Sequence, residues 1–260
     1  MWHGTRARKA VTEWRTSAGP AVRAEELVKT YASDVRAVRG VSFEVAAGEA
    51  FGLLGPNGAG KTTTIGMLNT AVAPTAGRAL LAGRDVARDP NGARAISSVV
   101  FQDAVVDEPT VGLDTRIRYD LFDVIATLRE RTGVTIIMTT HYLDEAERLC
   151  DRLAIIDSGQ MVACDTPARL LASIGPAVLE LRLDEPGKLA GLLRDHGVAG
   201  DDILVIGETA TVSLRDITAA QVTRLLEDHS IHPRSATTRP PTLDDVYLRL
   251  TGDRITGKND

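Results

Sequence analysis

One octapeptide limits the choice of fold more than any other part of this 260-residue chain: Gly55-Pro56-Asn57-Gly58-Ala59-Gly60-Lys61-Thr62, directly after the apolar run Ala50-Phe51-Gly52-Leu53-Leu54. The run has the length and content of a short buried strand, and Thr62 to Asn69, with Ile65, Met67 and Leu68, reads as a helix. A phosphate chain bearing several negative charges needs many donors close to it. Glycines at 55, 58 and 60 let backbone N–H groups turn inward with no Cβ in the way. Lys61 adds a point charge for the β and γ phosphates. Thr62 can offer its hydroxyl to Mg²⁺ while the positive helix end faces the anion. Strand, loop and helix stand in the order this chemistry needs, so the expected ligand is ATP with Mg²⁺, held by residues 55 to 62 with Thr63 beside them.

The segments around the loop predict an α/β domain. Ala24 to Thr30 and Val41 to Val45 alternate enough to be strands, and the turn at Ala46 to Glu49 leads into the strand before the loop. Glycine turns at Thr75-Ala76-Gly77 and Ala82-Gly83-Arg84 bracket the apolar Ala79-Leu80-Leu81, and Ile96 to Phe101 reads as a further strand. Thr115 to Arg131 sets Ile117, Leu121, Ile125 and Leu128 on one face before Gly133, the pattern of a long amphipathic helix. Val134 to Thr139 is a β-branched strand and Asp144 to Cys150 is helical. Leu153 to Asp157 and Gln160 to Ala163 form a hairpin turning on Ser158-Gly159. Strands alternating with helices predict a parallel-sheet P-loop domain from about Ala21 to Gly175, preceded by a mobile tail over residues 1–20 that ends in Gly19-Pro20.

From Val178 the order changes. It reads strand (Val178 to Leu183), helix (Lys188 to His196), strand (Ile203 to Ile206), strand (Thr211 to Leu214), helix (Ala219 to Asp228), strand (Pro233 to Thr238). This is the split β-α-β order of a ferredoxin-like α+β unit, predicted as an accessory domain over residues 176–260. A last helix follows Pro240-Pro241, where Thr242 and Asp245 make a capping-box pattern and Leu243, Val246, Tyr247 and Leu250 supply an apolar face.

Composition excludes several function classes. With 43% hydrophobic and 25% charged residues the chain can bury a full core. No run of eighteen apolar residues occurs, and the basic first residues lack the apolar block of a secretory signal. The chain is therefore expected to be soluble and intracellular unless a partner holds it at a membrane. A formal charge of −5 leaves no basic footprint for neutralising duplex phosphates, which argues against a nucleic-acid partner. Cys150 and Cys164 lack metal-type spacing and read as reduced thiols. A loop with a phosphate-binding Lys, in place of GxGxxG and an acidic ribose partner, argues against a dehydrogenase.

A second constellation lies downstream, in Val105-Val106-Asp107-Glu108-Pro109. An Asp closing an apolar run beside the phosphate strand can hold the water shell of Mg²⁺, and an adjacent Glu can polarise an attacking water. Taken alone, an acidic pair before proline is equally the solvated exit of a strand. His141 after its strand and Tyr31 are likewise open to surface readings on their own.

Together these residues resemble the ATP-binding subunit of an ABC transporter, over nearly everything from Ala21 to Gly252. The resemblance implies that Tyr31, in Leu27-Val28-Lys29-Thr30-Tyr31, stacks on adenine. It implies that Gln102, after Val99-Val100-Phe101, senses the γ-phosphate and its Mg²⁺. Asp107 is similar to the magnesium-site aspartate, Glu108 to the catalytic glutamate, and Thr110 to Asp114 to the loop that touches the other subunit. His141, in Thr139-Thr140-His141, resembles the switch histidine of the γ-phosphate. The ending Pro241-Thr242-Leu243-Asp244-Asp245-Val246-Tyr247 resembles the drug-exporter branch typified by daunorubicin resistance. That implies an ATPase on the cytoplasmic face of a separate ABC-2-type membrane permease, driving efflux of a drug or small hydrophobic compound.

The chain also departs from the family's pattern. The family places a helical subdomain carrying a Leu-Ser-Gly-Gly-type signature between the sensing glutamine and the magnesium-site aspartate, whereas Gln102 and Asp107 are five positions apart. Asp157-Ser158-Gly159-Gln160 lies in the hairpin after His141 and matches a different part of the family. The strand before the aspartate is reduced to Ala104-Val105-Val106, behind a charged Asp103. By the resemblance, a homodimer of such a chain could complete neither ATP site, and an intact second ATPase subunit would have to lend its signature. Two expectations stay open: an exporter ATPase with compromised or partner-dependent turnover, or a non-catalytic nucleotide-binding interaction module or decayed copy.

Overall fold

The computed structural model describes residues 19–32, 34–98, 115–140, 143–196 and 203–252. Two compact units meet in sequence at Cys164 and Asp165. The first runs β1 (Val22–Thr30), β2 (Arg36–Val45), β3 (Ala50–Leu54), α1 (Lys61–Leu68), β4 (Ala76–Leu81), β5 (Arg84–Asp85) and α2 (Pro90–Ile96). It continues with α3 (Thr115–Thr132), β6 (Ile136–Thr140), α4 (Leu143–Leu149), β7 (Arg152–Asp157) and β8 (Gln160–Asp165). The second comprises α5 (Pro167–Ala172), β9 (Val178–Arg182), α6 (Pro186–Asp195), β10 (Ile203–Ile206), β11 (Thr209–Ser213), α7 (Ala219–Asp228), β12 (Ser235–Arg239) and α8 (Leu243–Thr251).

The strand before the phosphate loop is central, as its unbroken apolar content requires. All five residues of β3 are buried, and β3 pairs in parallel with β6 on one side and β7 on the other, in the order β6-β3-β7-β8. A strand flanked on both sides and covered on both faces has no polar face to alternate. The registers set Leu54 opposite Thr140 and Ile155, so the carboxyl ends of three strands meet where the loop begins. In open α/β sheets that end of the strands is where ligands bind. The Ser158-Gly159 turn between β7 and β8 has φ of 48° and 81°, the left-handed pair that a two-residue hairpin needs.

A second sheet, not anticipated from the alternation of strands and helices, pairs in the order β2-β1-β4-β5, with β1 antiparallel to both β2 and β4. The core joins the two sheets through Leu27, Val38, Val41, Phe51, Leu53, Met67 and Ile156, with Phe43 stacked on Phe51 at 5.1 Å between centroids.

Two sequence expectations are corrected. Ile96 does not open a strand but closes α2, because Asp89 accepts a hydrogen bond from Gly92 N–H and Pro90 fills the first turn; residues 99–101 lie outside the described residues. On α3, Phe122 is buried and Ile125 half-buried, but Leu128 is 52% exposed, so the apolar face does not extend to it. Of the tail expected at 1–20, residues 1–18 are outside the described residues.

The C-terminal unit follows the order β9-α6-β10-β11-α7-β12, with its four strands arranged β10-β11-β9-β12 and every neighbour antiparallel. Its core is Leu181, Leu189, Leu193, Ala210, Val212, Val222 and Leu226. The Thr242 N–H donates to the Asp245 carboxylate at 2.8 Å, and Arg239 grips the same carboxylate at 2.7 and 2.9 Å, which fixes the start of α8.

Candidate functional site

The phosphate loop leaves β3 at Gly55 and enters α1 at Lys61. Three elements distant in sequence hold its back. A Cβ on Gly55 would lie 2.1 Å from the carbonyl oxygen of Ile156 in β7, and one on Gly60 would lie 2.4 Å from that of Ala37 in β2. Gly60 adopts φ of 104°, where other residues are strained. Gly159 N–H donates to the Ala59 carbonyl at 2.9 Å and Arg39 N–H to that of Gly159 at 2.7 Å, so the hairpin turn ties the loop to β2. Ala59 and Gly60 are buried while Asn57 and Gly58 are exposed, leaving one side of the loop open to solvent.

The first N–H groups of a helix have no acceptor within it. In α1 these belong to Gly60, Lys61, Thr62 and Thr63, and the first intrahelical bond of the turn is Thr64 N–H to Gly60 oxygen at 2.9 Å. The Thr64 hydroxyl donates to that same oxygen and is buried, whereas the side chain of Thr62 is exposed at the helix start. Lys61 is buried, and its Nζ donates to the carbonyls of Gly55 at 2.6 Å and Pro56 at 2.9 Å. Burial holds its ammonium below the usual lysine range. An anion beside it would offset that penalty, so the ammonium and the open N–H groups of the first turn suit a phosphate chain and disfavour a cation.

Tyr31 stands at the edge of this cradle. Its hydroxyl is 3.4 Å from that of Thr63, the Lys29 ammonium lies 5.2 Å from its ring centre, and the residue is 42% exposed. A turn in which Tyr31 N–H bonds the Val35 oxygen holds the backbone there. The structure thus brings together Tyr31, Gly55, Pro56, Asn57, Gly58, Ala59, Gly60, Lys61, Thr62 and Thr63. Gln102, Asp107, Glu108 and His141 lie outside the described residues.

One buried pair near this strand end escaped the sequence reading. The Thr140 hydroxyl, at the last residue of β6, donates to Glu145 of α4 at 2.7 Å, and both are buried. The run Asp144-Glu145-Ala146-Glu147 looks like a solvated helix face in sequence. Only the packing of α4 turns the second acid inward, where it fixes the end of β6 beside the start of the phosphate loop.

The family profile described as ABC transporter matches residues 38–168. The chain is 31% identical over 312 aligned positions to the daunorubicin resistance ATP-binding protein DrrA2 of Streptomyces coeruleorubidus, covering 91% of this chain and 96% of that protein. To the Nod factor export ATP-binding protein I of Paraburkholderia xenovorans it is 30% identical over 308 positions, covering 89% and 97%. Among solved structures its fold is similar to cbiO1 from Clostridium perfringens, part of the ABC transporter complex cbiONQ, with a TM-score of 0.50 and 18% identity over 59% of this chain and 91% of that one. A bacterial Atm1-family ABC exporter with ATP bound gives a TM-score of 0.54 and 22% identity, covering 61% and 41%. An aligned length of 312 exceeds the 260 residues of this chain, so the match to DrrA2 opens gaps within it.

Proposed function

Because the chain belongs to the ABC transporter family, as an ATP-binding subunit and an ATPase, we propose that it holds Mg·ATP in the cradle around Lys61 and drives export of a drug or small hydrophobic compound through a separate ABC-2-type permease. The observation that carries the proposal is the loop itself. Gly55 and Gly60 are pressed against the backbone of β7 and β2, Lys61 is buried with its ammonium on the loop's carbonyls, and the first amides of α1 follow directly on the loop. A nucleotide supplies the anionic phosphates this donor set accepts, and Thr62 would give Mg²⁺ one hydroxyl ligand.

In this reading Tyr31 stacks on the base, Gly55 to Thr63 hold the phosphates, and Gln102 and Asp107 complete the metal's surroundings. Glu108 polarises the attacking water and His141 contacts the γ-phosphate. Residues 21–175 form the nucleotide-binding domain and residues 176–260 an accessory domain. Among the described residues no helix is long and apolar enough to cross a membrane. Attachment to the inner face of the cell membrane therefore falls to the permease. The two named relatives act in daunorubicin resistance and Nod factor export, which supports export over uptake.

Turnover is proposed to depend on a partner. Five positions separate Gln102 from Asp107, no Leu-Ser-Gly-Gly-type motif occurs, and the aligned relatives are longer. A homodimer would lack the signature surface at both sites, whereas an intact second ATPase could cap the nucleotide on this chain. The same shortened spacing favours a second reading, a module that binds ATP without hydrolysing it. Thermal unfolding with and without Mg·ATP tests binding, and a missing ATP-dependent shift refutes both readings. Phosphate release compared with Glu108→Gln, alone and with an intact partner, separates them: turnover above that variant supports the first, and equality throughout supports the second.

A further inference from the structure

Helices α6 and α7 of the C-terminal unit each end on a histidine, His196 and His229. The two rings are exposed, 5.5 Å apart between centroids and nearly perpendicular at 83°. Each Nδ1 meets the carbonyl oxygen four residues earlier, His196 that of Leu192 at 2.9 Å and His229 that of Leu225 at 3.0 Å. A carbonyl oxygen only accepts, so in each contact Nδ1 carries the hydrogen. In the neutral ring this leaves Nε2 with a free lone pair. A histidine whose Nδ1–H is anchored on a backbone carbonyl while Nε2 stays open has the tautomer and second contact usual for a metal ligand.

We propose that His196 and His229 together form a binding site for a divalent transition-metal ion of the Zn²⁺ type. A metal ~2.0 Å from each Nε2 with a near-tetrahedral angle between them sets the ring centres roughly 5 Å apart, close to the separation observed. Both rings stand at helix C-termini, whose negative ends favour a bound cation. Asp195 and Asp228 immediately precede them in sequence and add negative charge. Among the described residues no group of three or more His, Cys, Asp or Glu is gathered for a metal. The described residues therefore supply two ligands, and water can fill the remaining positions. A bound ion bridges the ends of α6 and α7, 33 residues apart in sequence. The site is independent of the phosphate loop and stands or falls apart from it.

The test is calorimetric titration of zinc chloride into the full chain without an oligohistidine tag, beside His196→Ala, His229→Ala and His232→Ala. The expected result is one equivalent of zinc bound by the wild type, weakened about tenfold or more by each of the first two substitutions and unchanged by the third. No uptake by the wild type, or uptake that survives both substitutions, overturns the proposal. Because truncating a residue at a helix end can loosen the helix, the unsubstituted chain is also followed by ¹⁵N NMR of its histidines. The Nε2 signals of His196 and His229 should move on adding zinc while their Nδ1 sites stay protonated, and Nε2 signals that do not move refute it.

Discussion

Alanine at Gly60 and at Gly58 should have very different consequences, although both glycines have positive φ. At Gly58 (φ 82°) a Cβ would meet nothing within 4 Å, so the cost is that of a left-handed backbone alone, about 1–2 kcal/mol. At Gly60 (φ 104°) the same strain is joined by a Cβ placed 2.4 Å from the Ala37 oxygen and 3.4 Å from a methyl of Val38. Ala37 is passed over at an irregularity in the β1–β2 pairing, but its neighbours Arg36 and Val38 are paired with Thr30 and Lys29 of β1, which limits how far its oxygen can move. Overpacking of this kind adds about 1–3 kcal/mol, for a total of roughly 4 kcal/mol. At roughly 2–4 °C per kcal/mol, Gly58→Ala should lower the melting temperature by about 3 °C and Gly60→Ala by about 10 °C. Relief of the collision also shifts the first turn of α1, so Gly60→Ala should lose the stabilisation by Mg·ATP that Gly58→Ala largely keeps. Differential scanning calorimetry with and without nucleotide reads both effects. If Gly58→Ala costs as much as Gly60→Ala, or if Gly60→Ala melts within about 3 °C of the wild type with its ATP shift intact, the close approach of loop and β2 is not what holds the cradle.

Three further outcomes follow from particular contacts. Lys61→Met keeps an apolar stem but removes the ammonium and its bonds to the Gly55 and Pro56 oxygens, so the ATP-dependent thermal shift should vanish; a shift of unchanged size would refute the role of Lys61. Burial pushes the Asp245 carboxyl up, but its hydrogen bonds from Arg239 and Thr242 outweigh burial and hold it below the ordinary carboxylate range. Its stabilisation is therefore complete above the unfolded-state value near 3.9 and is lost as pH falls through the lower folded value. Asp245→Asn should thus be about 2 kcal/mol less stable than wild type at pH 7, with the gap closing below about pH 4; urea titrations that find the same gap at pH 7 and pH 2.5 would contradict this. Burial pushes the Cys150 thiol up to about 12, so at pH 8 iodoacetamide should alkylate the half-buried Cys164 well before Cys150, and equal rates by mass spectrometry would show that Cys150 is not shielded in solution.

The parts of this fold that were legible in sequence are those decided within a few residues. The apolar Ala50 to Leu54, the glycine loop and the helix after it form one local unit, and the turn at Ser158-Gly159 carries its own left-handed signal. The six elements from β9 to β12 alternate cleanly enough to be read in order. At Ile96 two local signals compete: the β-branched residues from Ile96 onward suggest a strand, but Asp89-Pro90 is a helix start, and in the structure the helix runs through Ile96. Other features had no local signal. Pairing of β1 with β4 joins segments some fifty residues apart and replaces an expected parallel layer by an antiparallel one. Leu128 keeps the spacing of a core residue, but a helix stripe is buried only as far as a neighbour covers it. Thr140 with Glu145, and Tyr31 beside Thr63, become visible only when strand ends and loops are set side by side.

The same distinction bears on whether a chain shortened between Gln102 and Asp107, as the proposed function has it, can still hold nucleotide. The groups that shape the cradle are Ala37 and Val38 from β2, Ile156 from β7, Gly159 from the hairpin turn and Tyr31 after β1. None of them falls in the shortened stretch, and β3 keeps a parallel neighbour on each side. The residues assigned to the metal's surroundings and to the attacking water, Gln102, Asp107 and Glu108, all fall within or beside it. If the proposed roles hold, the phosphate cradle and the group that polarises the attacking water lie in separate parts of the chain. On the proposed reading, a lesion in the first set, such as Gly60→Ala, should abolish both activities, whereas Glu108→Gln should leave the ATP-dependent thermal shift at its wild-type size while phosphate release, with or without an intact partner, falls to background. A Glu108→Gln variant that lost the thermal shift as well would place the shortened segment inside the cradle and undo the separation.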